Sequence, residues 1–309
     1  MIDPAAVAAR LWPTPAALRV AASTGGGNNR LFRISDGATA RALKFYPSAD
    51  GVARLSRERA ALEWLRADPD PTPTPAFHAA DMAAPAALID WIEGAPVGAP
   101  TDKDVDAVVA FTHRLLRRRH DGAALPMAAE ATPTARDLEA QIEERLRRPR
   151  RAEAEAAAAA AGAAYRRLGA VGGPPPAALI PNPSDFGFHN ALRVADGGLA
   201  FLDFEYFGQD DPVRLAGDFL LHPGMWSVHV APDACPLRRR FLDGLKPALA
   251  AIDSRFAERL ERQLPYLALR WALIVLNPLS PERAPPSPAV AAAQLEKSEA
   301  LLAFALRFG

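Results

Sequence analysis

Three polar side chains fall close together near the middle of the 309-residue sequence: Asp185 and Asn190 within Ser184-Asp185-Phe186-Gly187-Phe188-His189-Asn190, and Asp203 within Leu202-Asp203-Phe204-Glu205. An acid, an amide shortly after it and a second acid at the end of a strand supply what phosphoryl transfer needs. One group orients an attacking hydroxyl and two hold magnesium. Mg²⁺ takes carboxylate and amide oxygens while keeping waters and phosphate oxygens, so the trio suits a nucleotide-bound metal better than a cage made by protein alone. Taken singly, each residue would serve equally well as a turn cap; the chemistry is carried by the three at this spacing.

Two charges earlier in the chain are placed where they need partners. Lys44 lies in Arg41-Ala42-Leu43-Lys44-Phe45-Tyr46, a β-type run whose alternation sets Ala42, Lys44 and Tyr46 on one face and Leu43 and Phe45 on the other. A lysine in a half-buried strand is costly without an anion, unless it reaches water from a sheet edge. Glu58 follows Leu55 and precedes Leu62 on the apolar face of an expected helix over 52–66, whereas Glu63 sits with Arg59 and Arg66 on the wet side. An ion pair between Lys44 and Glu58 would satisfy both and aim the ammonium at nucleotide phosphates; a local pair of Glu58 with Arg54 or Arg59 is the alternative. The run Ser23-Thr24-Gly25-Gly26-Gly27-Asn28-Asn29 precedes them. Its glycines let backbone N–H groups approach phosphate oxygens, although a glycine cluster between strands is equally a plain turn.

The elements that must position these groups follow from periodicity and punctuation. Runs over 31–34 and 41–46, joined across Asp36-Gly37, predict a hairpin. The helix over 52–66 stops before the proline-rich stretch 68–75, and 86–92 reads as a last strand. The first ninety or so residues thus read as a small sheet with one helix. Glu93-Gly94-Ala95-Pro96 is the expected hinge, dividing a lobe at 1–92 from a mainly helical lobe at 93–309. Helices are predicted over 103–118, 136–148, 152–168, 255–277 and 289–308, the third of them alanine-rich, with Gly-Gly-Pro-Pro-Pro at 172–176 ending it. Residues 191–194 and 199–202, joined by Ala-Asp-Gly-Gly, predict a hairpin that folds Asp203 back beside Asn190.

Composition excludes several function classes. With 36 basic and 36 acidic residues the formal net charge is zero, so no global field draws the chain to nucleic acid or an acidic membrane. The clusters Arg117-Arg118-Arg119 and 145–151 lack interleaved aromatics and read as solvated helix faces; a nucleic-acid or membrane-surface role for them would show as salt-dependent binding. The lone Cys235 fits a reducing compartment and reads as a small apolar filler. The N-terminus lacks the basic start and apolar core of a secretory signal, and no stretch is long and apolar enough to span a bilayer. These features predict a soluble, cytoplasmic protein without nucleic-acid or membrane partners.

From about Gly25 to about Asp218 the sequence resembles the aminoglycoside phosphotransferase and choline kinase family. The likeness is carried by Gly-Gly-Gly-Asn-Asn-Arg-Leu-Phe-Arg-Ile, Ala-Leu-Lys-Phe-Tyr-Pro, Arg-Glu-Arg-Ala-Ala-Leu, Ile-Asp-Trp-Ile-Glu-Gly, Asp-Phe-Gly-Phe-His-Asn and Leu-Asp-Phe-Glu-Tyr, in order. The resemblance implies an α+β, bilobal protein-kinase-like fold with a small antiparallel-sheet N-lobe and a mainly helical C-lobe. It also implies transfer of the γ-phosphoryl group of ATP or GTP to the hydroxyl of a small-molecule alcohol such as a sugar, an amino alcohol or an aminoglycoside. Asp185 would then act as the catalytic acid that orients the hydroxyl, and Asn190 and Asp203 would hold Mg²⁺. Lys44 braced by Glu58 would hold the phosphates under the loop of Gly25, Gly26, Gly27 and Asn28, and main-chain groups from Asp90 to Ile92 would meet the base. The family's pattern has His-Gly before the catalytic acid, where this chain has Pro183-Ser184, and a histidine two residues after it, where this chain has Gly187 with His189 next to Asn190. The aspartate that follows the metal strand in the family falls at Leu215, leaving Asp211 or Asp218 to brace the loop. His222, Trp226 and His229 are candidates to line the acceptor pocket, with core packing the alternative for Trp226. A nucleotide-binding pseudokinase with a scaffold role is the alternative function, although it predicts loss of a metal ligand or of the acid, and all are present.

Overall fold

Alternating apolar residues and tight turns build the start of the chain into a five-stranded antiparallel sheet. The structure, a computed structural model, describes residues 2–14, 17–23, 29–47, 49–70 and 74–308. The chain divides into two units: Met1–Ala99 with Ala124–Ala129 and Asn190–Gly208, and Pro100–Ala123 with Glu130–His189 and Gln209–Gly309.

In the first unit the elements run α1 (Pro4–Leu11), β1 (Arg19–Ala22), β2 (Arg30–Ser35), β3 (Ala40–Phe45), α2 (Gly51–Arg66), β4 (Phe77–Asp81) and β5 (Ala86–Asp90), with sheet order β1-β2-β3-β5-β4. The expected β2–β3 hairpin forms. Gly37 takes φ +99°, which a side chain would resist, and Asp36 Oδ1 accepts the N–H groups of Ala38 and Thr39 at 3.0 and 2.8 Å. Registers Leu31–Lys44–Ala87 and Phe32–Leu43–Leu88 assign the two faces. Ile34, Leu43, Phe45 and Leu88 are buried against Val7, Ala8 and Trp12 of α1 and its end, leaving Lys44 on the opposite face, where it meets Glu58 of α2. The expectation of a single helix here is therefore corrected. At eight residues α1 is too short to show a clear period, and it forms because Asp3 caps the N–H of Ala5 at 3.0 Å, Pro4 suits the first helical turn, and the sheet offers an apolar face.

The stretch expected as a hinge is tied down on one side. Ala95 and Pro96 pair antiparallel with Arg193 and Leu192, and Ala191–Arg193 pairs in turn with Leu199–Phe201. A side chain at Gly94 would meet Leu192 Cβ at 2.9 Å, so this close approach requires glycine.

The second unit is mainly helical. Helices span Asp102–Arg117, Ala135–Arg147, Ala152–Leu168, Pro212–Leu221, Pro236–Ile252, Phe256–Ile274 and Pro288–Ala305. Thr101 with Asp104, and Thr134 with Asp137, form reciprocal capping boxes that start the first two. Phe256–Ile274 packs against Pro212–Leu221, Ala135–Arg147 and Pro288–Ala305, making it the helix around which the unit is built. Pro212–Leu221 is buried at every position, including Arg214 and Asp218, so its polar side chains do not mark a wet face. Among the described residues, no helix is long and apolar enough to cross a membrane.

Candidate active site

The candidate groups form two clusters, one in each unit. In the sheet-containing unit Lys44 is the centre. Its position on β3 aims it away from the apolar face, and Nζ donates to Glu58 Oε2 at 2.6 Å and to Asp203 Oδ1 at 2.6 Å, with Glu205 Oε2 at 3.2 Å. Burial alone would depress the Lys44 ammonium, but Glu58, Asp203 and Glu205 outweigh it and keep the lysine charged above its ordinary range. Glu58 is fully engaged: Oε2 also accepts from the Tyr46 hydroxyl at 2.6 Å, and Oε1 accepts the N–H of Phe204 at 3.3 Å. It is therefore a brace between strand β3, helix α2 and the segment 203–205. Neither local partner considered for Glu58 is taken: Arg54 donates to Asp50 and Glu205, and Arg59 to Glu63.

Asp203 sits at φ +64°, a left-handed conformation that costs a non-glycine residue about 1–2 kcal/mol. Phe204 and Phe207 are buried beyond it, Phe207 against Trp64 of α2 at 5.8 Å, and this packing holds the bend. Burial, reinforced by Glu58 and Glu205 and opposed by Lys44, pushes the Asp203 carboxyl up to about 6. The carbonyl of Asn190 accepts the N–H of Leu202 at 2.8 Å, so the hairpin brings Asn190 and Asp203 to one end, as the spacing predicted. Carboxylate oxygens of Glu58, Asp203 and Glu205 lie within 4.8 Å of one another.

In the helical unit the cluster is Asp185 with two histidines. The loop reaches it by a tight turn in which Ser184 adopts φ +65° and donates its N–H to Asn182 Oδ1 at 2.9 Å. Beyond Asp185 the phenylalanines alternate inward: Phe186 packs on Phe111 and Phe219 at 5.4 and 6.4 Å, and Phe188 on Phe219 and Trp226 at 5.6 and 5.7 Å. These aromatic anchors fix the loop from below and leave Asp185 on its polar side. Gly187 stands where a side chain would collide with the Met225 thioether, whose sulfur accepts the N–H of Phe188 at 3.0 Å. His189 Nε2 lies 3.0 Å from Asp185 Oδ1, and His222 Nε2 lies 3.5 Å from the same atom. Burial raises the Asp185 carboxyl, but hydrogen bonds from His189 and His222 prevail and hold it well below the usual carboxylate range.

The remaining candidates are placed as follows. The loop residues Gly25, Gly26, Gly27 and Asn28 lie outside the described residues. Asp90 ends β5; its N–H donates to the carbonyl of Ala76 at 3.0 Å, so of its own main-chain groups that one is already engaged, and its carboxylate accepts from Ala76 and meets His78 at 2.6 Å. Ile92 lies two residues past the end of β5. Asp211 caps Pro212–Leu221 and pairs with buried Arg259, while Asp218 pairs with Arg214 and accepts from Trp271 Nε1 at 2.9 Å. Trp226 is a core residue, its indole donating to the carbonyl of Phe219 at 2.6 Å, and His229 faces Glu296 at 3.2 Å. In the second arginine cluster Arg145, Arg147 and Arg148 are paired with Glu130, Glu143 and Glu144.

Sequence reasoning gave no role to Glu205 or Asn29, and offered Arg54 only as an alternative partner of Glu58. Glu205 is buried, accepts from Arg54 at 2.6 Å and from Asn29 at 2.7 Å, and ties Asn29 and α2 to the segment 203–205. The available signal was an acid two residues after Asp203.

A small antiparallel sheet bearing a lysine–glutamate brace, an acid-bearing hairpin and a mainly helical remainder define a protein-kinase-like phosphotransferase fold. The chain belongs to the phosphotransferase enzyme family, whose model matches residues 20–254. Similar folds include a choline kinase from Streptococcus pneumoniae (16% identity, 96% of each chain, TM-score 0.60). Aminoglycoside phosphotransferase APH(4)-Ia is 15% identical over 97% of each chain, with a TM-score of 0.62. An ethanolamine kinase from Plasmodium vivax is 11% identical over 94% of this chain and 81% of that one, with a TM-score of 0.55. A ternary complex of a thermostable APH(4)-Ia mutant contains AMP-PNP and hygromycin B. No curated protein matches the chain.

Proposed function

We propose that this phosphotransferase moves the γ-phosphoryl group of ATP, or of GTP, to the hydroxyl of a small-molecule alcohol. The observation that carries the reading is the buried Lys44 ammonium held by Glu58 beside Asp203 and Glu205. Three carboxylates there face two cations, Lys44 and Arg54, leaving negative charge that favours a further cation. The hard oxygen donors fit Mg²⁺. Since Glu58 is occupied by Lys44, Tyr46 and Phe204, Asp203 and Asn190 would be the ligands, with Glu205 available beside them. Bound there, Mg²⁺ would offset the charge of the phosphates. Lys44 would neutralise phosphate charge as well, with the glycine loop supplying N–H donors and main-chain groups from Asp90 to Ile92 meeting the base. Asp185, ionised at neutral pH, would accept a hydrogen bond from the acceptor hydroxyl and orient its lone pair for attack.

Choline, ethanolamine and hygromycin B are the first acceptors to screen, given the similar folds, followed by neutral sugars. Among the described residues the groups gathered with Asp185 are two imidazoles, His189 and His222, which favours an uncharged alcohol over a polycation. The experiment is an ATP- and GTP-consumption screen across alcohols with Asp185→Asn as control. Turnover of any acceptor that depends on Asp185 supports the proposal, and nucleotide consumption indifferent to Asp185 for every acceptor and for water ends it.

A further inference from the structure

His222 closes the helix Pro212–Leu221 and carries a ring that is held on three sides. His189 stacks on one face with centroids 4.0 Å apart and planes 11° from parallel, and Trp271 meets it edge-on at 4.7 Å and 72°. The N–H of Gly224 donates to Nδ1 at 3.1 Å, and a side chain at position 224 would come within 3.0 Å of the ring, so glycine permits this approach. An amide N–H can only donate, so Nδ1 must carry a lone pair and the proton of the neutral ring resides on Nε2. That nitrogen faces Asp185 Oδ1 at 3.5 Å. Burial holds His222 below the ordinary imidazole range, against the opposing pull of Asp185, so the ring is a neutral donor at pH 7.

Resting on the reading of Asp185 given above, we propose that His222 is a positioning residue of the catalytic carboxylate: beside the closer His189, its Nε2–H, with tautomer set by Gly224 and ring plane by His189 and Trp271, restrains the rotation of the carboxylate about Cβ–Cγ by holding Oδ1. His222 supplies its imidazole from a helix end thirty-seven residues past Asp185. Behind it, Trp271 donates to Asp218 at 2.9 Å, and Asp218 is in turn held by Arg214 with Arg270 at 3.5 Å. Asp218 thus reaches the loop through an indole and an imidazole. The same Asp185, His189 and His222 atoms lie within 4.8 Å of one another, as metal ligands would. A metal on His222 Nε2 needs that nitrogen's lone pair, however, and would force the proton onto Nδ1 at the expense of the Gly224 bond, so the tautomer favours positioning over ligation.

Two variants and a spectrum test this, with MgATP and the best acceptor from the screen, or MgATP hydrolysis if water is the best. His222→Phe keeps the ring stack and removes the donor; kcat is expected to fall roughly 10- to 100-fold with KM for MgATP unchanged within about twofold. His222→Gln restores an N–H at the Nε2 position and is expected to recover most of that loss. In the native protein with ¹⁵N-labelled histidine, a long-range ¹H–¹⁵N spectrum at pH 7 should show His222 protonated on Nε2 and bare on Nδ1. The proposal is overturned by an unchanged kcat in His222→Phe, by equal losses in the Phe and Gln variants, or by the reverse tautomer or an imidazolium. Should His222→Phe not fold, the Gln variant and the spectrum decide. An active Asp185→Asn variant would instead remove the functional reading, whereas an inactive Asp185→Asn beside a fully active His222→Phe would remove only this one.

Discussion

The Lys44 cluster and the Asp185 cluster are both built around carboxylates, yet they are held by opposite means. Glu58, Asp203 and Glu205 are gathered by a buried ammonium, and their mutual repulsion is offset by Lys44, with Arg54 on Glu205. Asp185 is gathered by two imidazoles, one of them a neutral donor, and its side chain remains 40% exposed. The first arrangement suits groups that must stay fixed and charged while a polyanion arrives. The second suits a group that must accept a hydrogen bond from an incoming hydroxyl, because its loop is fastened by Phe186 and Phe188. Function should therefore be separable from stability at Asp185 and inseparable at Lys44.

The largest expected effect tests the first half of that contrast. Asp185→Asn should lower kcat by roughly 10²–10⁴-fold while leaving the denaturation midpoint close to native. A large loss of stability would show that the loop depends on this charge. Lys44→Ala tests the other half: removing one partner of a buried ionic cluster costs about 3–5 kcal/mol, so urea unfolding should shift strongly as well as MgATP turnover being lost. Unchanged stability would mean that water readily solvates the three acids.

A third ionic site in the helical unit sharpens the comparison, because it lies outside both clusters. Glu130, at φ +55°, accepts from Arg145 and from Arg270 at 2.9 Å. Burial would raise its carboxyl, but Arg270, Arg145 and Arg214 hold it at about 2, against an ordinary value of 4.5. A depressed carboxylate adds stability that is complete above 4.5 and is lost as pH falls toward about 2. Glu130→Gln should thus cost about 1–2 kcal/mol at pH 7, discounted for a side chain that is 42% exposed, and the gap from native should close between those two pH values. A gap independent of pH would assign the effect to packing. The smallest effect belongs to the exposed Arg59–Glu63 pair: Glu63→Ala should change stability by less than about 0.5 kcal/mol, and a larger change would mean that surface pairs are weighted more heavily here than their exposure suggests.

Much of the Lys44 cluster was legible because strand and helix periods are local. Lys44 falls opposite Leu43 and Phe45, and Glu58 lies on the face of Leu55 and Leu62, so both charges pointed where a partner was needed. Glu205 was overlooked because its partners, Asn29 and Arg54, are more than a hundred residues away in sequence. The role of His222 was equally hidden: it depends on Gly224, His189 and Trp271 meeting around one ring, and no local pattern predicts that meeting. Helix α1 and the fully buried helix Pro212–Leu221 escaped because both are short, at eight and ten residues, and the second buries the Arg214 and Asp218 that polarity would place in water.

Local pattern alone therefore specified the candidate reacting types and the small elements that carry them: the hairpin with Asp203 at its end, the strand with Lys44, the helix with Glu58, and a loop with Asp185 between residues that turn and residues that anchor. These follow from side-chain alternation, helical period and turn chemistry, all of which act over a few residues. Only the tertiary structure decided which groups restrain them. Burial of Arg54 beside Glu205, the Phe186–Phe219 packing under the loop and the tautomer of His222 each require surfaces from distant parts of the chain to meet, and the free energy that selects them is that of desolvating and pairing polar groups once the chain has folded.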